Sequence, residues 1–201
     1  LALYYDVSLL KKGAAIHFIA RDGDDMAITD QATNTVYRLN IASKNAQIVG
    51  GGETLKNLSA VGIHGESVYV LTGDGIALLR LGDKKVSLVV KKDDAWGTII
   101  SLVSFGGNVY LLDTQKSRIW KYVATDKGLS VGRQGFSEMR EYLNPDTLPD
   151  LSQATGMAID GSVWMGTSNG KILRFTQGKE NTFIAKGVDP VFGTRLIVYT
   201  S

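Results

Sequence analysis

The stretch "VYLLDTQKSRIWKY", residues 109 to 122, decides the fold because its pattern recurs along the chain. An apolar run leads into a short polar loop, and a second run follows that mixes charged with apolar residues. Two such runs joined by a short loop are typical of a β-hairpin. A hairpin that recurs at nearly constant spacing predicts a repeat architecture.

Three other segments align with this hairpin and begin at Met26, Val68 and Val163, so that the four starts are 42, 41 and 54 residues apart. Each segment follows an upstream apolar run that ends in glycine, as in "TGMAIDG", and precedes a fourth run, as in "TFIAK". Four antiparallel strands per repeat of this length predict a β-propeller. A β-sandwich, the main alternative, does not normally repeat its strands at constant spacing.

We therefore predict an all-β fold, a single β-propeller domain over residues 1–201 with four complete blades of four antiparallel strands and a partial strand at each end. Because the end strands would belong to further blades, we expect an excerpt of a six-bladed ring, with a compact five-bladed closure as the alternative. The predicted blades are 15–50, 58–91, 99–133 and 154–186, with outermost strands at 129–133 and 182–186 in the last two, and the partial strands are 2–10 and 195–201.

Composition narrows the classes of function. The 201 residues are 44% hydrophobic with a formal net charge of +2, and no apolar run approaches the ~20 residues of a membrane span. Scattered basic residues make nucleic acid an unexpected partner, and we expect no direct membrane insertion of this domain. The chain has no cysteine, which excludes thiol catalysis and leaves the compartment open.

The residues Asp113, Thr114, Arg118 and Ile119 give the opening hairpin a family resemblance. It resembles the NHL repeat, in which an apolar strand, Asp-Thr, a polar loop and Arg-Ile precede a further apolar strand. The other hairpins keep only fragments of this pattern, such as Asp30 in the first. The resemblance implies an NHL-like propeller and no particular function.

A second resemblance rests on "DDAWGTIISLVSFGGNVYLLDTQKSRIWKYVA" together with "YLNPDTLPDLSQATGMAIDGSVWMGTSNGKILRFTQGKENTF". The combination is similar to the C-terminal propeller region of large membrane proteins that resemble PPM-type phosphatases, from uncultured candidate-phylum bacteria. The resemblance implies a non-catalytic sensing or docking module, the extracytoplasmic part of a membrane-anchored parent. The metal motif of the phosphatase domain is absent from this chain, so phosphatase activity is not carried over.

Candidate binding residues lie in connections between the outer strand of one blade and the inner strand of the next. Such connections line the axial face of a propeller, and long loops there are often functional, although the insertion at 137–153 could equally only cover a gap. We predict that this face binds a protein, peptide or glycan. The candidate residues are Asp93, Asp94, Trp96, Arg140, Tyr142, Asp146, Asp150 and Asp189.

Catalytic, metal and cofactor chemistry is not predicted. His17 and His64 fall at different positions in their strands, and the "RDGDD" acidic run lacks the glycine and glutamate of a calcium loop. The alternatives are a metal-dependent, lactonase-like six-bladed enzyme and a purely structural spacer. Aromatic residues recur at equivalent positions, which favours packing between blades over a sugar-stacking site; they are Tyr69, Tyr110, Trp120 and Trp164.

Overall fold

The computed structural model describes residues 5–80, 82–125 and 135–183. Four antiparallel sheets of four strands each make up most of this part, which confirms the predicted all-β class and its four four-stranded blades. Among the described residues, no helix has the length and apolar character needed to cross a membrane. The same residues include short 3-10 helices at Val7–Leu9, Glu53–Leu55 and Pro145–Thr147.

The chain forms two compact units, the first extending to Lys92 and the second starting at Asp93. In the first unit, blade A consists of β1 to β4 and blade B of β5 to β8. Their strands are β1 (Ile16–Asp22), β2 (Asp25–Asp30), β3 (Thr35–Asn40), β4 (Ala46–Gly51), β5 (Ala60–His64), β6 (Ser67–Thr72), β7 (Gly75–Arg80) and β8 (Asp83–Lys91).

The second unit also holds two four-stranded sheets, and a short two-stranded ribbon interrupts the first of them in sequence. Its strands are β9 (Ile99–Phe105), β10 (Asn108–Asp113), β11 (Arg118–Tyr122), β12 (Ala124–Thr125), β13 (Gly135–Phe136), β14 (Arg140–Glu141), β15 (Ala154–Ile159), β16 (Val163–Thr167), β17 (Ile172–Thr176) and β18 (Lys179–Asn181). Blade C is β9, β10, β11 and β14, blade D is β15 to β18, and β12 pairs with β13.

The turns between the first two strands of a blade use the predicted glycines. Gly65 and Gly106 have φ angles of 55° and 56°, in the left-handed region where glycine is tolerated without steric cost. A tight reversal at these points lets the two strands pair in register, as Ile63 opposite Val68 shows in blade B.

Apolar side chains at alternate positions along the strands form the core of the first unit. Val36 and Val49 of blade A pack with Val61, Val70 and Leu79 of blade B, and all five side chains are buried. Successive residues of a strand point to opposite faces, so blade A has a second apolar face. That face includes Ile28, Tyr37 and Leu39 and is covered by Val7 from the segment before β1.

The predicted strand at 2–10 is wrong where the structure describes it, because Val7–Leu9 forms a 3-10 helix. Asp6 is its N-cap, and the Asp6 carboxylate accepts a hydrogen bond of 2.9 Å from the Ser8 backbone amide. A short polar side chain that bonds its own backbone in this way competes with extended structure. The predicted strand at 195–201 lies outside the described residues.

The outermost strands of blades C and D also differ from the prediction. Residues 129–133 lie outside the described part, and the outer edge of β11 pairs with β14, where Lys121 lies opposite Arg140. In blade D the outer strand is Lys179–Asn181, just before the predicted 182–186. Strands of two or three exposed residues have no alternating apolar pattern, so periodicity could not locate them.

The core of the second unit lies between blades C and D. Tyr110 and Leu112 of blade C pack against Met157, Met165 and Phe175 of blade D. Two leucines from the connection between these blades complete the cluster and are almost fully buried; they are Leu143 and Leu151. The connection is therefore anchored into the core at two points.

Candidate functional site

Three connections of the second unit come together at the end of its sheets where β9 begins and β10 ends. They are the entry loop (residues 93–98), which leads into β9, the hairpin turn (residues 114–117) between β10 and β11, and the exit loop (residues 142–153), which leads into β15. We call these three segments together the loop surface. Hydrogen bonds join each of them to its neighbour.

Asp113, the last residue of β10, is the centre of this arrangement and is fully buried. Its carboxylate accepts hydrogen bonds from the backbone amides of Gly97 at 2.7 Å, Thr98 at 3.1 Å and Lys116 at 3.0 Å. A fourth bond, of 3.0 Å, comes from the indole Nε1 of Trp120. A buried carboxylate is tolerated when its oxygens are bonded in this way, and here it ties the entry loop to the hairpin turn.

Further bonds extend the network to both sides of the hairpin turn. The Thr114 amide donates to the Thr98 carbonyl at 3.0 Å, and the Thr98 hydroxyl donates to Gln115 Oε1 at 3.1 Å. On the other side, the Leu151 amide donates to Ser117 Oγ at 3.0 Å. The three segments of the loop surface therefore form one hydrogen-bonded network.

Gly97 explains why the entry loop can approach Asp113 so closely. A Cβ at position 97 would lie 2.7 Å from Asp113 Oδ1, 2.9 Å from Gln115 Cβ and 3.0 Å from Lys116 Cγ. Only a residue without a side chain fits there without displacing the hairpin turn.

Trp96, predicted as a binding aromatic, is instead buried, with 8% of its surface exposed. Its Nε1 donates to the Tyr122 hydroxyl at 3.0 Å, and the two rings meet edge to face. Burial raises the pKa of Tyr122 to about 12, with the Trp96 bond acting against this rise and the Asp93 charge adding to it. Trp96 thus anchors the entry loop rather than lining its surface.

Asp93 and Asp94 lie at the start of the entry loop. Asp93 is half-buried, and its Oδ1 accepts a hydrogen bond of 2.8 Å from the Ala95 amide. The Asp93 carbonyl accepts another, of 3.1 Å, from the Trp96 amide, so a turn holds both aspartates in place. Asp94 is exposed.

The exit loop presents two exposed carboxylates, both placed by local turns. The Asp146 amide donates to Asn144 Oδ1 at 3.1 Å, which caps the 3-10 helix that carries Asp146. Asp150 Oδ1 accepts from the Ser152 amide at 2.9 Å. That backbone bond, with a further one to Ser152, lowers the pKa of Asp150.

The remaining candidates lie elsewhere. Arg140 is exposed in β14, on the outer edge of blade C. Tyr142 is half-buried and packs edge to face on Tyr110, with ring centroids 5.8 Å apart. Asp189 lies outside the described residues. The structure thus brings Asp93 and Asp94 to the same loop surface as the exit-loop carboxylates. Trp96 and Tyr142 lie in the same loops with their rings packed on Tyr122 and Tyr110, and Arg140 lies outside these loops.

Sequence analysis missed the residues that build the loop surface. Asp113 was singled out as part of the NHL-like motif, and the same motif could have indicated its role as a hydrogen-bond acceptor for the adjacent turn. Nothing in the local sequence indicates that Gly97 contacts Asp113 or that Leu151 bonds to Ser117, because these contacts join residues 16 and 34 apart in the chain.

His17 and His64 make separate local contacts and do not group as metal ligands. His64 Nδ1 lies 3.3 Å from Asp22 Oδ2, and the same oxygen accepts from the Gly65 amide at 2.8 Å. His17 packs edge to face on Phe18. Within the described part of the chain, no three His, Cys, Asp or Glu residues are grouped so as to hold a metal ion.

Consecutive four-stranded antiparallel sheets with neighbouring inner strands, β1 beside β5 in the first unit and β9 beside β15 in the second, are the blades of a β-propeller. No family model and no curated protein matches the chain. Solved structures do resemble it, at identities that show the fold alone.

One similar structure is a protein of unknown function from Bacteroides thetaiotaomicron, with 18% identity and a TM-score of 0.59 over 81% of this chain and 45% of that one. Another is the nidogen/laminin complex, with 12% identity and a TM-score of 0.57 over 83% and 64%. A third is virginiamycin B lyase from Staphylococcus aureus, with 14% identity and a TM-score of 0.57 over 88% and 58%. The chain thus spans less than two thirds of each of these chains.

Proposed function

We propose that the chain is a non-catalytic binding module that presents its loop surface to a protein, peptide or glycan. The observation that carries this proposal is the buried Asp113 carboxylate, which bonds two separate connections into one surface. Binding by ordered loops loses less conformational entropy than binding by mobile ones. An ordered surface of this kind is what a recognition module needs.

Polar groups rather than aromatic rings are available for recognition. Trp96 is buried and Tyr142 is half-buried, whereas Asp94, Asp146 and Asp150 are exposed. Charged groups at an interface contribute more to specificity and association rate than to affinity. We therefore expect a partner with basic groups and an association rate that falls as salt concentration rises.

Of the three partner classes, protein, peptide and glycan, we favour a protein. The nidogen/laminin complex among the structural neighbours is consistent with a protein-binding role for the fold. At 14% and 17% identity, the virginiamycin B and streptogramin B lyases share the fold and carry no argument for catalysis here. Function depends on the residues of the site and not on the fold.

We also propose that the propeller is NHL-like and belongs to a membrane-anchored, phosphatase-like parent as its extracytoplasmic part. The contacts of Asp113 and Thr114 support the NHL-like reading, because both stabilise the turn that the motif encloses. Fusion of a periplasm-dependent reporter to the parent protein tests the location. An inactive periplasm-dependent reporter, together with an active cytoplasm-dependent reporter at the same fusion point, would contradict it.

The binding proposal is tested with a triple variant of the exposed carboxylates, Asp94→Asn, Asp146→Asn and Asp150→Asn. A matched control replaces three exposed acids of the first unit, Asp24→Asn, Glu53→Gln and Glu66→Gln. A partner is first captured on the unmodified chain, identified by mass spectrometry, purified and titrated by calorimetry against all three proteins.

We expect the loop-surface variant to bind the purified partner at least about tenfold more weakly, with unchanged circular dichroism, and the control to bind as the unmodified chain does. Equal affinity for all three proteins would contradict the proposal. Heat on titration with calcium alone would instead favour the metal-dependent enzyme.

A further inference from the structure

The first unit has a set of connections that corresponds to the loop surface of the second unit. They lie at the end of its sheets where β1 and β5 begin and where β2 and β6 end. We call them together the basic surface. Its segments are the approach to β1 (residues 11–15), the turn after β2 (31–34), the connection between blades A and B (52–59), the turn after β6 (73–74) and the end of β8 (91–92).

Hydrogen bonds join the approach to β1, the turn after β2 and the connection between the blades. Lys11 Nζ donates to Thr35 Oγ1 at 2.6 Å, directly beside the turn after β2. The Gly52 amide donates to the Asn34 carbonyl at 3.0 Å, which joins the same turn to the connection. These three segments are therefore held together as one assembly.

The remaining two segments adjoin the same assembly. A Cβ at Gly73 would lie 3.3 Å from Asn57 Nδ2, so the connection between the blades lies against the turn after β6. The Lys92 amide donates to the Asp74 carbonyl at 2.8 Å, which joins the end of β8 to this turn. The basic surface is thus continuous within the first unit.

Buried leucines anchor the connections of both surfaces. Leu55 and Leu58 are almost fully buried in the core shared by blades A and B. Leu143 and Leu151 anchor the exit loop of the second unit in the same way. Both surfaces are therefore ordered before any partner arrives, which lowers the entropy lost on binding.

The two surfaces differ in the sign of their charge. The segments of the loop surface carry four aspartates and one lysine, whereas those of the basic surface carry five lysines and two acids. Lys56 pairs with Glu53. Three exposed lysines form no ion pair with any residue that the structure describes; they are Lys12, Lys91 and Lys92.

We propose that the basic surface of one copy of the chain binds the loop surface of a second copy. This inference rests on the function proposed above, for which it names the partner as a basic protein surface that the chain itself carries. Opposite charges on two ordered surfaces speed their encounter and select which surfaces meet. Two like surfaces repel each other, so the pairing of unlike surfaces is the self-contact that these charges favour.

Every copy contributes both sides of this contact, because each carries one surface of each sign. Two contacts between the same two copies close a twofold dimer, whereas contacts with successive copies build a longer chain. Sedimentation velocity over a range of protein concentrations detects either form. The contact is the same in both, and it joins exposed charges that salt screens.

The first measurement compares ionic strengths of about 0.01 M and about 0.15 M, between which the screening length falls from ~30 Å to ~8 Å. We expect the unmodified chain to self-associate at the lower ionic strength. The dissociation constant should be at least about tenfold larger at the higher one, because screening weakens attraction between exposed charges.

Charge reversal assigns the contact to the two surfaces. The first variant is Lys12→Glu, Lys56→Glu and Lys91→Glu, and the second is Asp94→Lys, Asp146→Lys and Asp150→Lys. Within each variant both surfaces have the same sign, so neither variant alone should self-associate. In an equimolar mixture the contacts again join unlike charges, and we expect association to return with an affinity close to that of the unmodified chain.

The matched control is Arg21→Glu, Lys44→Glu and Lys85→Glu, which reverses three exposed positive charges near the opposite strand ends of the first unit. Its net charge equals that of the first variant, yet it should self-associate as the unmodified chain does. Glu53→Gln, which belongs to the control for the loop surface, makes the basic surface more positive and does not weaken the contact. Circular dichroism establishes that each variant is folded.

Self-association of either reversed variant alone would overturn the proposal, as would a mixture in which the two variants do not bind each other. Loss of association in the matched control would also overturn it, because net charge rather than these surfaces would then govern the contact. An unmodified chain that stays monomeric at the lower ionic strength would overturn the self-contact and leave the proposed function standing. That function fails on a different result, equal affinity of the captured partner for the unmodified chain and for the asparagine variant of the loop surface.

Discussion

The hairpins of blades A and C differ from those of blades B and D in the residue that ends the second strand. Asp30 and Asp113 hold this position in blades A and C, and Thr72 and Thr167 in blades B and D, and all four are buried. The turns that follow the two aspartates contain four residues, whereas only two separate Thr72 from its partner Gly75. The last position of the second strand is thus occupied by a carboxylate in two blades and by a hydroxyl in the other two.

A threonine at this position finds its hydrogen-bond partners within its own turn. The Thr72 hydroxyl donates to the Gly75 carbonyl and accepts from the Asp74 amide, both inside its own turn. A buried carboxylate needs more donors. Asp113 uses Trp120 and Asp30 uses Tyr37, each two residues after the start of the third strand.

The comparison teaches that the aspartate side chains bond other parts of the chain, whereas the hydroxyls of Thr72 and Thr167 bond within their own hairpins. Asp113 reaches the entry loop, and in blade A the backbone of Ala15 bonds to Asp30. In blades A and C, the carboxylate that ends the second strand therefore itself orders a connection that precedes its blade, whereas in blade D the link to the preceding connection comes from Ser168, whose amide donates to the Gln153 carbonyl at 2.8 Å.

The largest effect is expected from Asp113→Ala, which leaves four partly buried donors without their acceptor. Each lost bond costs on the order of 1 kcal/mol, so we expect a loss of about 3 to 5 kcal/mol in the free energy of unfolding. Urea denaturation measures it. Asp113→Asn keeps one acceptor oxygen and should lose less; a loss below about 1 kcal/mol for Asp113→Ala would contradict the role of the carboxylate.

A smaller effect is expected from Gly97→Ala, because its methyl group would overlap Asp113 and the hairpin turn. Overpacking of this kind typically costs about 1 to 3 kcal/mol. Gly52→Ala is not a clean comparison, since Gly52 has a positive φ of 100°. Gly51→Ala, with its nearest neighbours at 3.4 Å, is the matched control and should cost clearly less.

Removing the aromatic donors tests the difference between the two hairpin types. Trp120→Phe takes a hydrogen bond from the Asp113 carboxylate, and Tyr37→Phe takes one from Asp30. Because bonds to charged groups are worth about 1.5 to 3 kcal/mol, we expect losses in that range. Thr72→Val should cost about 1 kcal/mol, as a neutral bond does. A denaturation midpoint of Thr72→Val below those of both aromatic variants would break the comparison.

The smallest effect concerns pH and the Asp30 hairpin. Burial alone would raise the pKa of Asp30, but hydrogen bonds from Thr33, Ala15 and Tyr37 together lower the pKa below its ordinary value. A carboxyl whose pKa is lower in the folded chain stabilises it above the unfolded pKa of ~3.9, and this contribution is lost as pH falls through the folded pKa.

Asp30→Asn should therefore differ less from the unmodified chain at pH 3 than at pH 6 in its urea midpoint. Thr72→Val provides the control, since its difference from the unmodified chain involves no titrating group and should stay constant. If the difference in urea midpoint between Asp30→Asn and the unmodified chain were larger at pH 3 than at pH 6, the Asp30 pKa would be raised instead.

The fold was predictable because each blade repeats the same pattern of apolar strand residues, which its core buries. Val68, Val109 and Val163 lie within one residue of the start of their strands, 41 and 54 residues apart, and each is buried. Short edge strands such as β14 and β18 escaped the prediction, since their exposed residues make no pattern. The segment around Val7 escaped it as well, because a capping bond from Asp6 overrides an apolar run.

The candidate site was predictable only in part. Exposed acids in long connections were found from composition, but the role of Trp96 depends on Tyr122, which lies 26 residues away. An aromatic residue in a loop does not reveal whether its ring faces solvent or the core. Long-range partners of this kind appear only in the folded structure.

The position of β14 has a consequence for exchanging or deleting blades by genetic engineering. Blade C acquires its fourth strand only at Arg140–Glu141, and the Asn144 amide then donates to the Gly178 carbonyl of blade D at 2.9 Å. A gene fragment cut after Thr125 would omit that strand, and one cut before Gly178 would omit the acceptor. The smallest exchangeable cassette in this half of the chain is therefore the pair of blades, and recombination that treats each repeat as separable should yield insoluble products here.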